Sequence, residues 1–125
     1  MQTVDQRYAA TAYQQVLEIE KEQDAKKYGS MAHKLPILIH TAGLAQALAF
    51  VDARSNSELQ RRLLEHLKAT IEPDHPKTLL QHAQAADIRE YMRLTHQVLA
   101  ALLWYKRFAQ SILKVSSTEE DGNES

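Results

Sequence analysis

The chain has 125 residues, 44% hydrophobic and 25% charged, with a net charge of −1 and no cysteine. That length supports one hydrophobic core and leaves little for a second. The missing cysteines exclude a disulfide scaffold, a thiolate zinc site and a cysteine nucleophile.

The N-terminal MQTVDQRYAA lacks the basic start and apolar run of a secretory signal. No stretch reaches the roughly 18 apolar residues of a membrane span. A reducing cytoplasm is the expected setting. Abundant alanine, leucine and glutamine, with 3 glycines and 3 prolines, favour helix throughout.

The first predicted helix runs from Val4 to Lys26, with Val4, Tyr8, Ala12, Val16 and Ile19 recurring at spacings of four and three on one face. Tyr28-Gly29-Ser30 reads as a break, followed by a short helical piece from Met31 to Lys34. Pro36 fits the first turn of a new helix, where its missing N–H costs nothing. That helix is expected to continue to Arg54 and to bury Leu38, Ala42, Ala45, Leu48 and Ala49. Gly43 then falls in its interior, at a cost of about 1 kcal/mol relative to alanine.

Ser55-Asn56-Ser57 reads as a loop, and Ser57 with Gln60 forms a capping box. The helix it opens, ELQRRLLEHLKATI, buries Leu59, Leu63, Leu67 and Ile71. Pro73 and Pro76 bracket a turn with Asp74 as a cap, and a short helix spans Lys77 to Ala85. Asp87 and Glu90 open a last helix that runs to Lys114, with Ile88, Tyr91, Thr95, Val98, Leu102, Tyr105, Ala109 and Ile112 on one side. No segment alternates like a strand. The expected fold class is all-α: a single-domain bundle of five to six helices over residues 1–116, then a disordered acidic tail over 117–125.

No catalytic constellation emerges. The six histidines, His33, His40, His66, His75, His82 and His96, form no HExxH, and none stands four residues from another. A zinc site needs three or four convergent ligands, so surface or half-buried histidine is the favoured reading. GxSxG, P-loop and GxGxxG motifs are absent. The expectation is no enzyme, no cofactor and no metal.

Charge is distributed unevenly. Without the four acids of the tail, 15 basic residues face 12 acidic ones, a net +3. Between Ala25 and Val51 stand Lys26, Lys27 and Lys34 with no acid. Between Tyr91 and Thr118 stand Arg93, Lys106, Arg107 and Lys114, again with no acid. Arg93, Ala100, Arg107 and Lys114 are seven apart, so on one helix they fall near a line about 30 Å long, with Arg89 and His96 on the same edge. An unrelieved basic stripe suits a phosphate backbone. A solvated face is the alternative, but such faces usually intersperse acids, as Glu58, Arg61, Arg62, Glu65 and Lys68 do. Trp104 and Phe108 are i,i+4 partners, and packing is favoured for them over base stacking. Gly43 among Ala42, Ala45 and Ala47 makes a small-residue surface suited to close approach, within the domain rather than between chains.

The pattern YGSMAHKLPILIHTAGLAQALAF resembles the signature of the small helical subunit of type III-B CRISPR effector complexes, the Cmr complexes. The matching residues are Tyr28, Lys34-Leu35-Pro36, Ile39, Gly43-Leu44 and Phe50. A second similar stretch runs from Tyr91 to Ala109, with Trp104 followed by Lys106-Arg107-Phe108. The resemblance implies a non-catalytic subunit whose copies stack into a filament beside the subunits that hold the guide RNA, helping to line the groove where guide pairs with target RNA. Its partners would be other Cmr subunits, copies of itself and single-stranded RNA, with no membrane. The expected phosphate contacts are Lys26, Lys27, Lys34, Lys106 and Arg107, extended by Arg93 and Lys114. The rival expectation is a protein-interaction scaffold without RNA contact.

Overall fold

The computed structural model describes residues 1–53 and 58–116. Among them lie six helices and no strand: α1 (Val4–Glu20), α2 (Ala25–Ala42), α3 (Leu44–Ala53), α4 (Glu58–Ile71), α5 (Leu79–Ala85) and α6 (Ile88–Ser111). The all-α bundle expected from the sequence is the one observed. The Ser55-Asn56-Ser57 loop, the Ser57–Gln60 capping box, the helix end at Arg54 and the acidic tail lie outside the described residues. No helix among the described residues is long and apolar enough to cross a membrane.

α1 starts at a Thr3–Gln6 capping box and buries Tyr8, Ala12, Val16 and Ile19 as the spacing predicts, while Val4 stays exposed. It ends at Glu20 rather than Lys26. Glu18, Glu20, Glu22 and Asp24 crowd its C-terminus, where the helix macrodipole disfavours negative charge.

The stretch from 25 to 53 departs most from expectation. Tyr28-Gly29-Ser30 is no break: all three are buried inside α2, and α2 also contains Pro36. A proline inside a helix removes one N–H and costs about 3 kcal/mol. Packing of α2 against α3, α4 and α6 outweighs that cost. The break falls instead at Gly43, whose φ of 90° and ψ of 160° belong to a region open essentially to glycine alone. Leu44 then starts α3, where the Ala45 N–H, orphaned at the helix start, donates to the Tyr91 hydroxyl at 2.9 Å. The glycine is a joint between two helices, not an interior residue. Leu48 is buried as expected, and Ala42 is exposed.

α5 opens at a Thr78–Gln81 capping box, not at Asp74. α6 opens at the Asp87 cap, whose side chain accepts from the Glu90 N–H at 2.9 Å. Its inner face is Leu94, Val98, Ala101, Leu102, Tyr105 and Ala109; Ile88 is 73% exposed.

α6 stops at Ser111, short of Lys114, and Lys114 turns the chain back at a left-handed φ of 63°. The Val115 N–H then bonds the Ala109 carbonyl at 3.0 Å. Leu113 and Val115 are thereby buried against α2. A Cβ on Gly29 would stand 2.9 Å from Val115 Cγ2 and 3.4 Å from Leu113 Cδ1. The His33 ring bonds the Val115 carbonyl through Nε2 at 3.0 Å.

A polar string crosses the core. The Tyr28 hydroxyl meets His66 Nδ1 at 2.6 Å, and the Tyr105 hydroxyl stands 2.8 Å from Thr70 Oγ1. Thr70 Oγ1 in turn donates to the His66 carbonyl at 2.7 Å. The string links α2, α4 and α6.

Candidate nucleic-acid interface

α2 and α6 pack antiparallel. Tyr28, one turn into α2, lies with its ring centroid 6.5 Å from that of Tyr105, near the end of α6. Gly43, just past the end of α2, adjoins Tyr91, at the start of α6. The two segments that hold the sequence-predicted cations are therefore neighbours, with Lys26 and Lys27 at the same end of the bundle as Lys106 and Arg107.

Among these cations Lys26, Arg107, Arg93 and Lys114 are exposed, and Lys27, Lys34 and Lys106 are half-buried. Arg107 lies over the Trp104 ring, 5.1 Å from its centroid, a cation–π contact that holds the guanidinium at the surface. Trp104 stacks on Phe108 at 5.9 Å and donates its Nε1–H to Asp5 at 2.9 Å. Tyr13 meets Phe108 edge-on at 5.4 Å. The aromatic pair thus seals the seam between α1 and α6, which is the packing role favoured from the sequence.

The stripe expected along α6 is not unrelieved. Arg93 donates from Nε to Glu90 Oε1 at 2.9 Å and engages Oε2 through Nη2. The Arg93 hydrogen bonds hold the Glu90 carboxyl down to about 2. Glu90 stands one residue outside the acid-free window, but one helical turn brings it onto Arg93. At the other end of the stripe, Lys114 leaves the line because α6 has already ended.

The α2 end also borders acids. Lys27 shares a cleft with Glu22, Asp24, Glu58 and Arg62, and Arg62 pairs with Glu22 at 3.5 Å. The arginine expected to pair within its own helix reaches across to the chain just beyond α1 instead. Among the described residues, no carboxylate stands within 4 Å of the heads of Lys26, Lys27, Lys106 or Lys114.

A second constellation went unseen in the sequence. Glu72, His75 and His82 bring ligand-type atoms within 4.8 Å of one another. Their spacing matches no motif because the turn after α4 folds His75 onto α5, stacking its ring on His82 at 4.1 Å.

The family model of the CRISPR-associated protein (Cas_Cmr5) matches residues 4–112. Over 114 residues the chain is 41% identical to the CRISPR system Cmr subunit Cmr5 of Thermus thermophilus, spanning 91% of this chain and 99% of that one. The X-ray crystal structure of a CRISPR-associated Cmr5 family protein, also from Thermus thermophilus, superposes with a TM-score of 0.84 at 42% identity. That match covers 90% of this chain and 99% of the other.

Proposed function

The chain belongs to the Cmr5 family of CRISPR-associated proteins, and from that premise we propose that it is the small, non-catalytic subunit of a cytoplasmic, RNA-guided Cmr effector complex in antiviral defence. Copies of the bundle stack into a filament beside the subunits that hold the guide, and the α2–α6 face lines the groove occupied by guide and target RNA. Lys26, Lys27, Lys34, Lys106 and Arg107 contact phosphates, with Arg93 and Lys114 at the margins. Such contacts read no sequence, because phosphates carry no base identity.

The observation that carries this reading is the antiparallel pairing of α2 with α6, which puts Lys26 and Lys27 at the same end of the bundle as Lys106 and Arg107. The contacts rank by local charge. Lys106 and Arg107 dominate, and Arg93 contributes little because Glu90 already offsets it. A single bundle binds weakly, and the filament multiplies its contacts.

The test is a polarisation titration of single-stranded RNA across several salt concentrations. The K106E/R107E pair weakens binding and flattens the salt slope, and R93E changes both less. Unchanged affinity in K106E/R107E, with helicity intact, overturns the assignment of these residues. Exposed Ile37 and Phe50, 64% and 45% accessible, favour a second reading in which the helical faces meet only protein subunits. Co-purification with Cmr subunits without any salt-dependent RNA affinity would select that reading.

A further inference from the structure

We propose that the recess between the end of α4, the following turn and the starts of α5 and α6 binds a divalent transition cation of the zinc class through Glu72, His75 and His82. The recess has a volume of about 300 Å3 and is also lined by Asp74 and Gln97.

His82 is the centre of the site. It is only 8% exposed, and both of its ring nitrogens face carboxylates. Nδ1 stands 2.8 and 2.9 Å from the two oxygens of Glu72, and Nε2 stands 2.9 Å from Glu90 Oε2. A neutral imidazole has one N–H and one lone pair. With the proton on Nε2 donated to Glu90, the Nδ1 lone pair points at Glu72. Something positive must then stand between them, and a second proton or a metal ion both serve.

The surroundings suit the metal. A ligating histidine characteristically donates its other N–H to a carboxylate, which fixes the tautomer and raises ligand basicity. Glu90 fills that place, and Arg93 anchors Glu90. With His82 neutral, Glu72, Glu90 and Arg93 sum to one negative charge, which a dication reverses to one positive. His75 already stacks on His82, with the rings 9° from parallel. It is otherwise held by one hydrogen bond, from the Lys77 N–H to its Nδ1 at 3.2 Å. Releasing that bond lets the half-buried ring rotate and aim a nitrogen into the recess.

Bond lengths of about 2.0–2.2 Å set tetrahedral ligands about 3.3 Å apart. Glu72 therefore retreats from His82 Nδ1 by about 0.5 Å, and the widest pair closes by at most about 1.5 Å. The fourth position is left to water. Two imidazoles and one carboxylate select zinc-like ions over magnesium or calcium, which prefer all-oxygen sets.

The test is calorimetric titration of the metal-free full chain with zinc chloride near neutral pH, with magnesium chloride as the comparison and cobalt(II) as an optical reporter of tetrahedral geometry. Saturable one-to-one zinc binding is expected, with no heat from magnesium. E90Q should lower affinity by about 10- to 100-fold, and H75A, which removes a ligand, by at least as much. H75A removes a half-exposed ring, so its metal-free circular dichroism should match the parent. Absence of saturable zinc binding overturns the proposal. So does undiminished binding in H75A, which would place the ion on other histidines.

Discussion

Lowering the pH from 7 towards 5 should destabilise this bundle through protonation of His66. The His66 ring accepts the Tyr28 hydroxyl proton at Nδ1, and burial, helped by the nearby Arg62 charge, pushes the imidazole down to about 4. Burial also keeps the Tyr28 hydroxyl protonated by raising it well above its usual range. The unfolded chain takes up a proton on His66 near 6.5, and the folded chain takes it up only near 4. Between those values the unfolded state holds more protons, so stability is full above 6.5, falls as pH drops and levels off below 4. The slope is about 1.4 kcal/mol per pH unit, giving a loss of about 2 kcal/mol between pH 7 and pH 5. That is a large share of the 5–15 kcal/mol typical of a domain. Glu90, held down to about 2, stays charged across that interval and adds its own loss only below about 4.5. Urea denaturation followed by circular dichroism at pH 7, 6 and 5 measures the slope. His66→Gln keeps an acceptor for Tyr28 but cannot titrate, so its pH dependence should be flatter by about 2 kcal/mol over the interval. Identical slopes in the two proteins would refute the reasoning.

Three substitutions test the backbone. Gly43→Ala should cost about 1–3 kcal/mol in denaturant midpoints, because its φ of 90° strains any side chain and the new Cβ would stand 3.3 Å from the Tyr91 hydroxyl. Gly29→Ala gains about 1 kcal/mol of helix propensity but presses Cβ onto stiff, β-branched Val115, a clash worth about 1–3 kcal/mol. It should destabilise the parent and cost less in a Val115→Ala background, which removes the Cγ2 at 2.9 Å but keeps the Cβ at 3.1 Å, a coupling that a double-mutant cycle reads directly. Lys114→Gly should raise the melting point, relieving about 1 kcal/mol of left-handed strain.

Helix type and most of the core were legible, since Tyr8, Ala12, Val16 and Ile19, or Leu59, Leu63 and Leu67, repeat at helical spacing within a single element. What failed was punctuation. Gly29 reads locally as a stop and Pro36 as a helix start, yet both lie inside α2, Gly29 because Val115 needs the space and Pro36 because neighbouring helices hold the turn. Neither reason resides within the local stretch it explains. The charged surface failed in the same way. An acid-free window in sequence is not acid-free in space when Glu90 is one turn from Arg93, and when Lys27 shares a cleft with Glu22, Asp24 and Glu58. The cluster around His82 gathers Glu72, His75 and Glu90 from separate elements and a turn, and no spacing rule anticipates it.

The docking of Val115 over Gly29 also sets a schedule for synthesis. The two partners of the His33–Val115 hydrogen bond lie 82 residues apart in the chain. At about 5–20 residues per second, a ribosome delivers the second roughly 4–16 s after the first. For that interval Gly29 has no Val115 to cover it, and at its outset α2 lacks the α3, α4 and α6 surfaces that hold its proline-bearing turn. The cover over Gly29 therefore closes only after all six described helices have been made.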